Sequence, residues 1–172
     1  MTEDDFMFHS GDYVIYGVHG VCRVIGTEKQ RVNRERVEYL VLEPLVQHES
    51  RFYLPTGNSA AMAKLQTVLS RDELCALLNS AEIRKDCWIT EENLRKQYYR
   101  DLVSSADRIP FLQMVCSLYR YKDEQAAAGR KFHLCDENFL RDSEKRLCSE
   151  LCLVLDMNPE QAREYLREQL RK

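Results

Sequence analysis

The chain has no apolar run near the roughly 20 residues that a membrane-spanning helix needs, so a soluble protein is expected. It also lacks a basic and then apolar opening: Glu3, Asp4 and Asp5 stand where a secretory signal would be positive. No internal repeat or low-complexity tract interrupts the 172 residues. Phosphate loops, dinucleotide fingerprints, nucleophile elbows and paired catalytic acids are all missing, and an enzyme is not expected. The seven cysteines are odd in number and scattered at 22, 75, 87, 116, 135, 148 and 152. They read as buried thiols in a reducing cytoplasm, not as a disulfide framework.

An overall positive charge is missing as well. The formal net charge is −3, which carries no nucleic-acid signal over the whole chain. Its distribution is uneven. Residues 1–79 hold 8 basic against 11 acidic side chains, residues 80–172 hold 17 of each, and residues 95–146 hold 11 against 8. A basic face therefore belongs in the second half. The hydrophobic share of 44% suffices for a core, and the charged share of 31% suits helices laced with ion pairs.

What is present reads as strands first and helices after. Asp12–Tyr16, Val21–Ile25, Glu38–Leu42 and Arg51–Leu54 are short β-rich runs, with Asn33 at a hairpin turn inside the polar stretch Glu28–Arg36. Strands broken by Gly, Asn and Pro predict a small, bent antiparallel sheet or barrel. From Ser70 the spacing turns helical. Ser70 with Glu73 forms a capping box, Thr90 precedes two acids suited to a first turn, and Asp107 and Asp136 stand as further caps. Asn158-Pro159 opens the last helix, because Pro is tolerated at the first position. Phe111, Leu112, Val115, Leu118 and Tyr119 form one apolar stripe, and Leu140, Leu147, Leu151, Val154 and Leu155 another. The order predicts an α+β protein of two modules, residues 1–60 and 61–172, the second all-α with about five helices.

One string is specific. Phe8-x-x-Gly11-Asp12-Tyr13-Val14-Ile15-Tyr16-x-x-His19-Gly20-Val21-Cys22-Arg23-Val24, followed by Glu38–Leu42, closely resembles the N-terminal module of the CarD/CdnL family of bacterial transcription regulators. A related module occurs in transcription-repair coupling factors. The resemblance continues through Trp88, the helix ending Ser117-Leu118-Tyr119-Arg120 and the Leu140–Leu155 helix, covering about residues 6–155. It implies a Tudor-like small β-barrel that binds the RNA polymerase β subunit. Its helical module would contact promoter DNA at the upstream edge of the bubble. There a tryptophan wedges into the minor groove and modulates open-complex stability, with no cofactor, no metal and no chemistry. A monomer is expected.

Carried onto this sequence, the resemblance makes Trp88 the wedge. Arg95, Lys96, Arg100, Arg108, Arg120, Lys122, Arg130 and Lys131 form a candidate phosphate-facing set, the alternative being an ordinary solvated helix face. Of these, Arg95, Lys96, Arg120, Arg130 and Lys131 are expected at DNA, and Arg120 and Arg130-Lys131 lead because helix ends and one loop hold them together. Arg31, Arg51 and Tyr53 become the polymerase-binding residues, the first two as neighbours of positions that fall near Gln30 and Tyr53. Glu91 stands where the family commonly has an arginine, and the first arginine after Trp88 is Arg95. The other reading of Trp88 is a core residue cementing the two modules. His19 reads as a turn-stabilising hydrogen bonder. His133-x-Cys135 with Cys148 and Cys152 has poor zinc spacing, and Cys148 and Cys152, each following a core leucine, read better as buried apolar fillers. Cys87, beside Trp88, is expected to be exposed. A second function class stays open: an adaptor with the same docking module, whose helices bind a protein and not DNA.

Overall fold

The computed structural model describes residues 7–46 and 49–172. Five strands form one antiparallel sheet: β1 (Tyr13–Tyr16), β2 (Val21–Val32), β3 (Glu35–Pro44), β4 (Phe52–Pro55) and β5 (Leu65–Thr67), in the order β4-β3-β2-β1-β5. Short helix α1 (Ser59–Met62) precedes β5. Asn33 is the turn residue it was predicted to be. It and Arg34 lie at φ 51° and 71°, both positive as a two-residue type I′ hairpin requires. The polar stretch around them is strand, however, and the hairpin is longer than the apolar pattern suggested. Solvent-facing strand ends need no apolar residues, so alternation did not mark them. The sheet is open, where a closed barrel was expected: edge strands β4 and β5 are not neighbours in it.

One face of this sheet carries a core of Phe8, Val14, Cys22, Val24, Leu40, Leu42, Leu54 and Leu65. β5 pairs with β1, Ile15 opposite Gln66, so the β-module runs to about residue 67, beyond the expected boundary at 60. A three-residue strand is too short for periodicity to reveal.

The helical module contains α2 (Arg71–Leu78), α3 (Glu92–Ser104), α4 (Arg108–Ala127), α5 (Leu134–Leu155) and α6 (Pro159–Leu170), the five helices expected. Both capping boxes, Ser70 with Glu73 and Asn158 with Gln161, are formed. Each satisfies two backbone N–H groups that would otherwise lack partners. The predicted stripes are buried: Phe111, Leu112, Val115, Leu118 and Tyr119 pack with Leu140, Leu147, Leu151 and Leu155, and Val154 lies at the margin. Three caps differ from expectation. Asp107 holds the N-cap position of α4, but its side chain makes no capping hydrogen bond. Glu91, not Thr90, caps α3, its carboxylate accepting from the amides of Asn93 and Leu94 at 3.1 and 2.6 Å. α5 begins after His133, which leaves Asp136 inside its first turn.

A few polar bonds, most of them buried or part-buried, join the modules. The Ser149 hydroxyl accepts from Val21 N–H at 3.0 Å and donates to the Arg146 carbonyl at 2.6 Å. The Arg146 guanidinium donates to Val103 O at 2.9 Å and Gln66 Oε1 at 2.8 Å, and it covers the Phe111 ring at 4.2 Å. Burial, and then the nearby Arg108 charge, pull its pKa down to about 10. Arg108 bridges Glu150 at 2.8 Å and bonds Thr67 O at 2.8 Å. These bonds fix how the sheet sits on α5.

Glu144, on α5, accepts from Tyr119 Oη at 2.5 Å and Arg167 Nε at 3.0 Å. Burial alone would raise its pKa, but the Arg167 and Tyr119 bonds more than offset this and lower it. A carboxylate depressed in the folded state stabilises above its unfolded pKa, near ~4.3, and loses that contribution as pH falls through the folded value. Glu144→Gln is therefore expected to cost about 1–2 kcal/mol at neutral pH and to flatten the acid-side fall in melting temperature. A pH series of thermal melts checks both; parallel curves for variant and parent would contradict it.

Candidate functional site

The sheet face opposite the β-core divides in two. Over β1 and β5 it meets the helices through Val21 N–H and Gln66. Over β3 and β4 it is open. Register places Tyr53 opposite Val41, so Val37, Tyr39 and Tyr53 share this open face while Leu40 and Leu42 turn to the core. Tyr53 is 41% exposed, and its ring meets Tyr39 edge-to-face at 6.3 Å and 83°. Arg51, entering β4, lies 3.9 Å from Glu43.

Arg31 stands apart. It pairs with Arg36, which shares its strand parity with Leu40, and so projects from the other face. Arg36 and Val41 are also about 17 Å apart along β3 at roughly 3.4 Å per residue. The three residues expected to meet polymerase are thus two on one side and one on the other. Sequence proximity did not show this because strand parity did.

Trp88 lies in the loop between a short 3₁₀ turn (Glu82–Arg84) and α3. It is half-buried against the helical core, at the rim of one module and not between the two. Tyr121 stacks on the indole at 3.7 Å and 19°, and the Arg95 guanidinium covers it at 4.3 Å. Two groups that close to one ring must take opposite faces, so both π-faces are occupied. Tyr121 in turn neighbours Phe132 at 6.3 Å. An aromatic row Trp88–Tyr121–Phe132 therefore runs up to the exposed pair Arg130-Lys131 in the loop after α4.

Arg95, expected at DNA phosphate, is 5% exposed. Its Nε and Nη2 donate to the two Asp136 oxygens at 3.0 and 2.9 Å, and its Nη1 to the carbonyls of Ile89 and Thr90 at 2.8 and 3.3 Å. Four of its five N–H donors are spent inside the fold, and a guanidinium so enclosed is withheld from a phosphate. Arg95 is instead the post to which the Trp88 loop is tied.

Lys96 is paired with Glu92. Arg120 reaches Asp86 at 3.2 Å and the Arg84 carbonyl at 3.1 Å. Of the expected basic set, Arg130 and Lys131 are the two with no ion pair among the described residues. Tyr121 and Phe132 were not anticipated. The available signal was Tyr121 three residues after Leu118, on the edge of the α4 stripe.

The remaining candidates read differently in three dimensions. His19 packs its ring on Phe52 at 4.2 Å, and the reversal is held by backbone bonds from Gly20 N to Gly17 O and from Tyr16 N to Gly20 O. Cys87 is half-buried beside Ser117 Oγ at 3.5 Å, and burial raises its pKa. Burial likewise pushes Cys22 up to about 12, and Cys116 and Cys148 to about 11, as packed thiols behave. No helix among the described residues is long and apolar enough to cross a membrane.

The fold and its surfaces define a class: a small antiparallel β-module with an open aromatic face, fastened to a five-helix module. Residues 8–66 match the family described as CarD-like/TRCF RID domain. The β-module is a CarD-like/TRCF RID domain, an RNA polymerase-interacting type of module. No curated protein matches the chain.

Proposed function

We propose that this protein is a non-enzymatic transcription regulator that docks on the RNA polymerase β subunit and modulates the open promoter complex. The match of residues 8–66 to the polymerase-interacting domain carries this reading. The docking surface is the open face of β3 and β4, with Tyr53 and Tyr39 as aromatic anchors and Arg51 at the rim. Aromatic side chains dominate interface hot spots, while a rim charge chiefly tunes the association rate. Tyr53→Asp in the full chain is expected to weaken polymerase binding at least tenfold, and Arg31→Glu, on the other face, to leave it within about threefold. Surface plasmon resonance on immobilised polymerase reads both. Wild-type affinity in the Tyr53→Asp variant would refute the docking face.

The helical module contacts DNA, in this reading, through Arg130 and Lys131. Insertion of Trp88 would exchange its Tyr121 stack for a base stack worth about 1–3 kcal/mol, so little is gained, and phosphate contact leads. A second reading, the protein adaptor, is favoured by one observation: Arg95, Lys96 and Arg120 are each satisfied by acids within the fold. Salt separates the two. Two neutralised phosphates give a slope of about −1.8 in log affinity against log salt, from roughly −0.9 per phosphate. An adaptor gives no DNA affinity at all. Comparing open-complex lifetime with and without the protein tests the function itself.

A further inference from the structure

One cavity lies away from both surfaces. It is a groove of about 890 Å³ between the end of β3, helix α5 and the start of α6. Leu45, Val46, Leu140, Cys148, Cys152 and Met157 supply its apolar lining. Along α5 it extends from Leu140 to Cys152, about 18 Å at ~1.5 Å per residue. Val46 is 59% exposed, an apolar side chain standing over an apolar trough.

The rim is basic. Lys122, Arg141, Lys145, Arg163 and Arg167 border the groove against Glu137 and Glu144. Both acids are consumed by their neighbours: Glu137 binds Lys122 at 2.9 Å, and Glu144 binds Arg167 and Tyr119. Lys145 and Arg163 form no ion pair among the described residues, and Arg141 has only Asp142 at 3.8 Å. Two exposed cations without an ion pair among the described residues thus border an apolar trough of ligand size, at the seam of two modules. Small-molecule pockets share this volume, this lining and this position.

We infer that the groove binds a single-chain anionic amphiphile of the fatty-acid class, its chain on Leu140, Cys148, Cys152 and Met157 and its carboxylate at Lys145 and Arg163. The occupant follows from charge and shape together. A neutral apolar ligand would leave the cations unanswered. A cationic one would be repelled. Cys148 and Cys152 are chain-lining groups here, because a thiol whose pKa burial raises is a poor nucleophile. The inference does not depend on polymerase or DNA binding.

Laurate, kept below its micelle-forming concentration, is the probe, with the full-length protein in a calorimeter. Saturable one-site binding is expected, together with a melting temperature that rises with laurate concentration. Lys145→Glu/Arg163→Glu, two exposed changes that leave the core intact, should weaken laurate at least tenfold. Cys152→Trp should block it by filling the trough, and the double charge variant covers the case in which Cys152→Trp does not fold. Dodecyltrimethylammonium should bind at least tenfold more weakly than laurate. The inference is overturned by absence of saturable binding, by equal affinity for the cationic amphiphile, or by an unchanged affinity in the double charge variant. Association with anionic vesicles but not with monomeric laurate would also overturn it, by making the face a membrane-binding surface.

Discussion

Asp136→Ala is expected to cost about 3–5 kcal/mol, because it strands the Arg95 guanidinium in a buried site without its counter-charge. The pair is bidentate and its carboxylate is 1% exposed. For a chain of this size each kcal/mol shifts melting by about 2–4 °C, so a fall of roughly 6–20 °C is expected. The local consequence is as specific as the global one. Arg95 also holds the Ile89 and Thr90 carbonyls and covers Trp88. Once Arg95 loses Asp136, it will turn to solvent and uncover the indole. Trp88 is the single tryptophan, so its emission will shift to the red before the global melt. Arg95→Met with Asp136→Leu should recover most of the lost stability, since apolar replacement of a buried pair is often neutral. A cost below about 1 kcal/mol for Asp136→Ala would mean that the pair does not lock the loop.

Gly20→Ala is expected to cost about 3 kcal/mol and to act at the seam between the modules. Gly20 lies at φ +70°, and an added Cβ would meet Ser149 Oγ at 2.3 Å and Ser149 Cβ at 3.0 Å. With ψ at −145° this is backbone space used almost only by glycine, and it costs another residue about 1–3 kcal/mol. The clash adds a second cost, because the Ser149 hydroxyl must turn away and leave the buried Val21 N–H without its acceptor. Ser149→Ala alone carries that second cost only, about 1–2 kcal/mol. The double variant should therefore be less destabilised than the sum of the singles. Chemical denaturation of all four proteins reads the cycle, and strict additivity would show that the strand turn and α5 do not touch. If polymerase docks on the sheet while the helices reach DNA, loss of this seam should leave polymerase affinity intact and reduce the effect on open-complex lifetime.

The α+β order, the caps at Ser70 and Asn158, the turn at Asn33 and both helical stripes were legible in the sequence. Each is a local event, decided within about four residues by capping, backbone freedom or periodicity. The motif from Phe8 to Val24 was legible for the same reason, and it alone pointed to polymerase. Fates of individual charges were not. Arg95 and Arg130 look alike as letters, yet one is enclosed by Asp136, 41 residues away, and the other stands in solvent. The same holds for Trp88, whose loop position suggested a free ring until Tyr121 covered one face and Arg95 the other. Asp136 read as a cap because an acid near a helix start usually is one, and only the approach of α3 to α5 made it a counter-ion. Sequence spacing thus determined which elements form and which faces they bury. Tertiary packing decided which polar groups are spent inside the protein and which remain for a partner, because that depends on residues brought together across the whole chain.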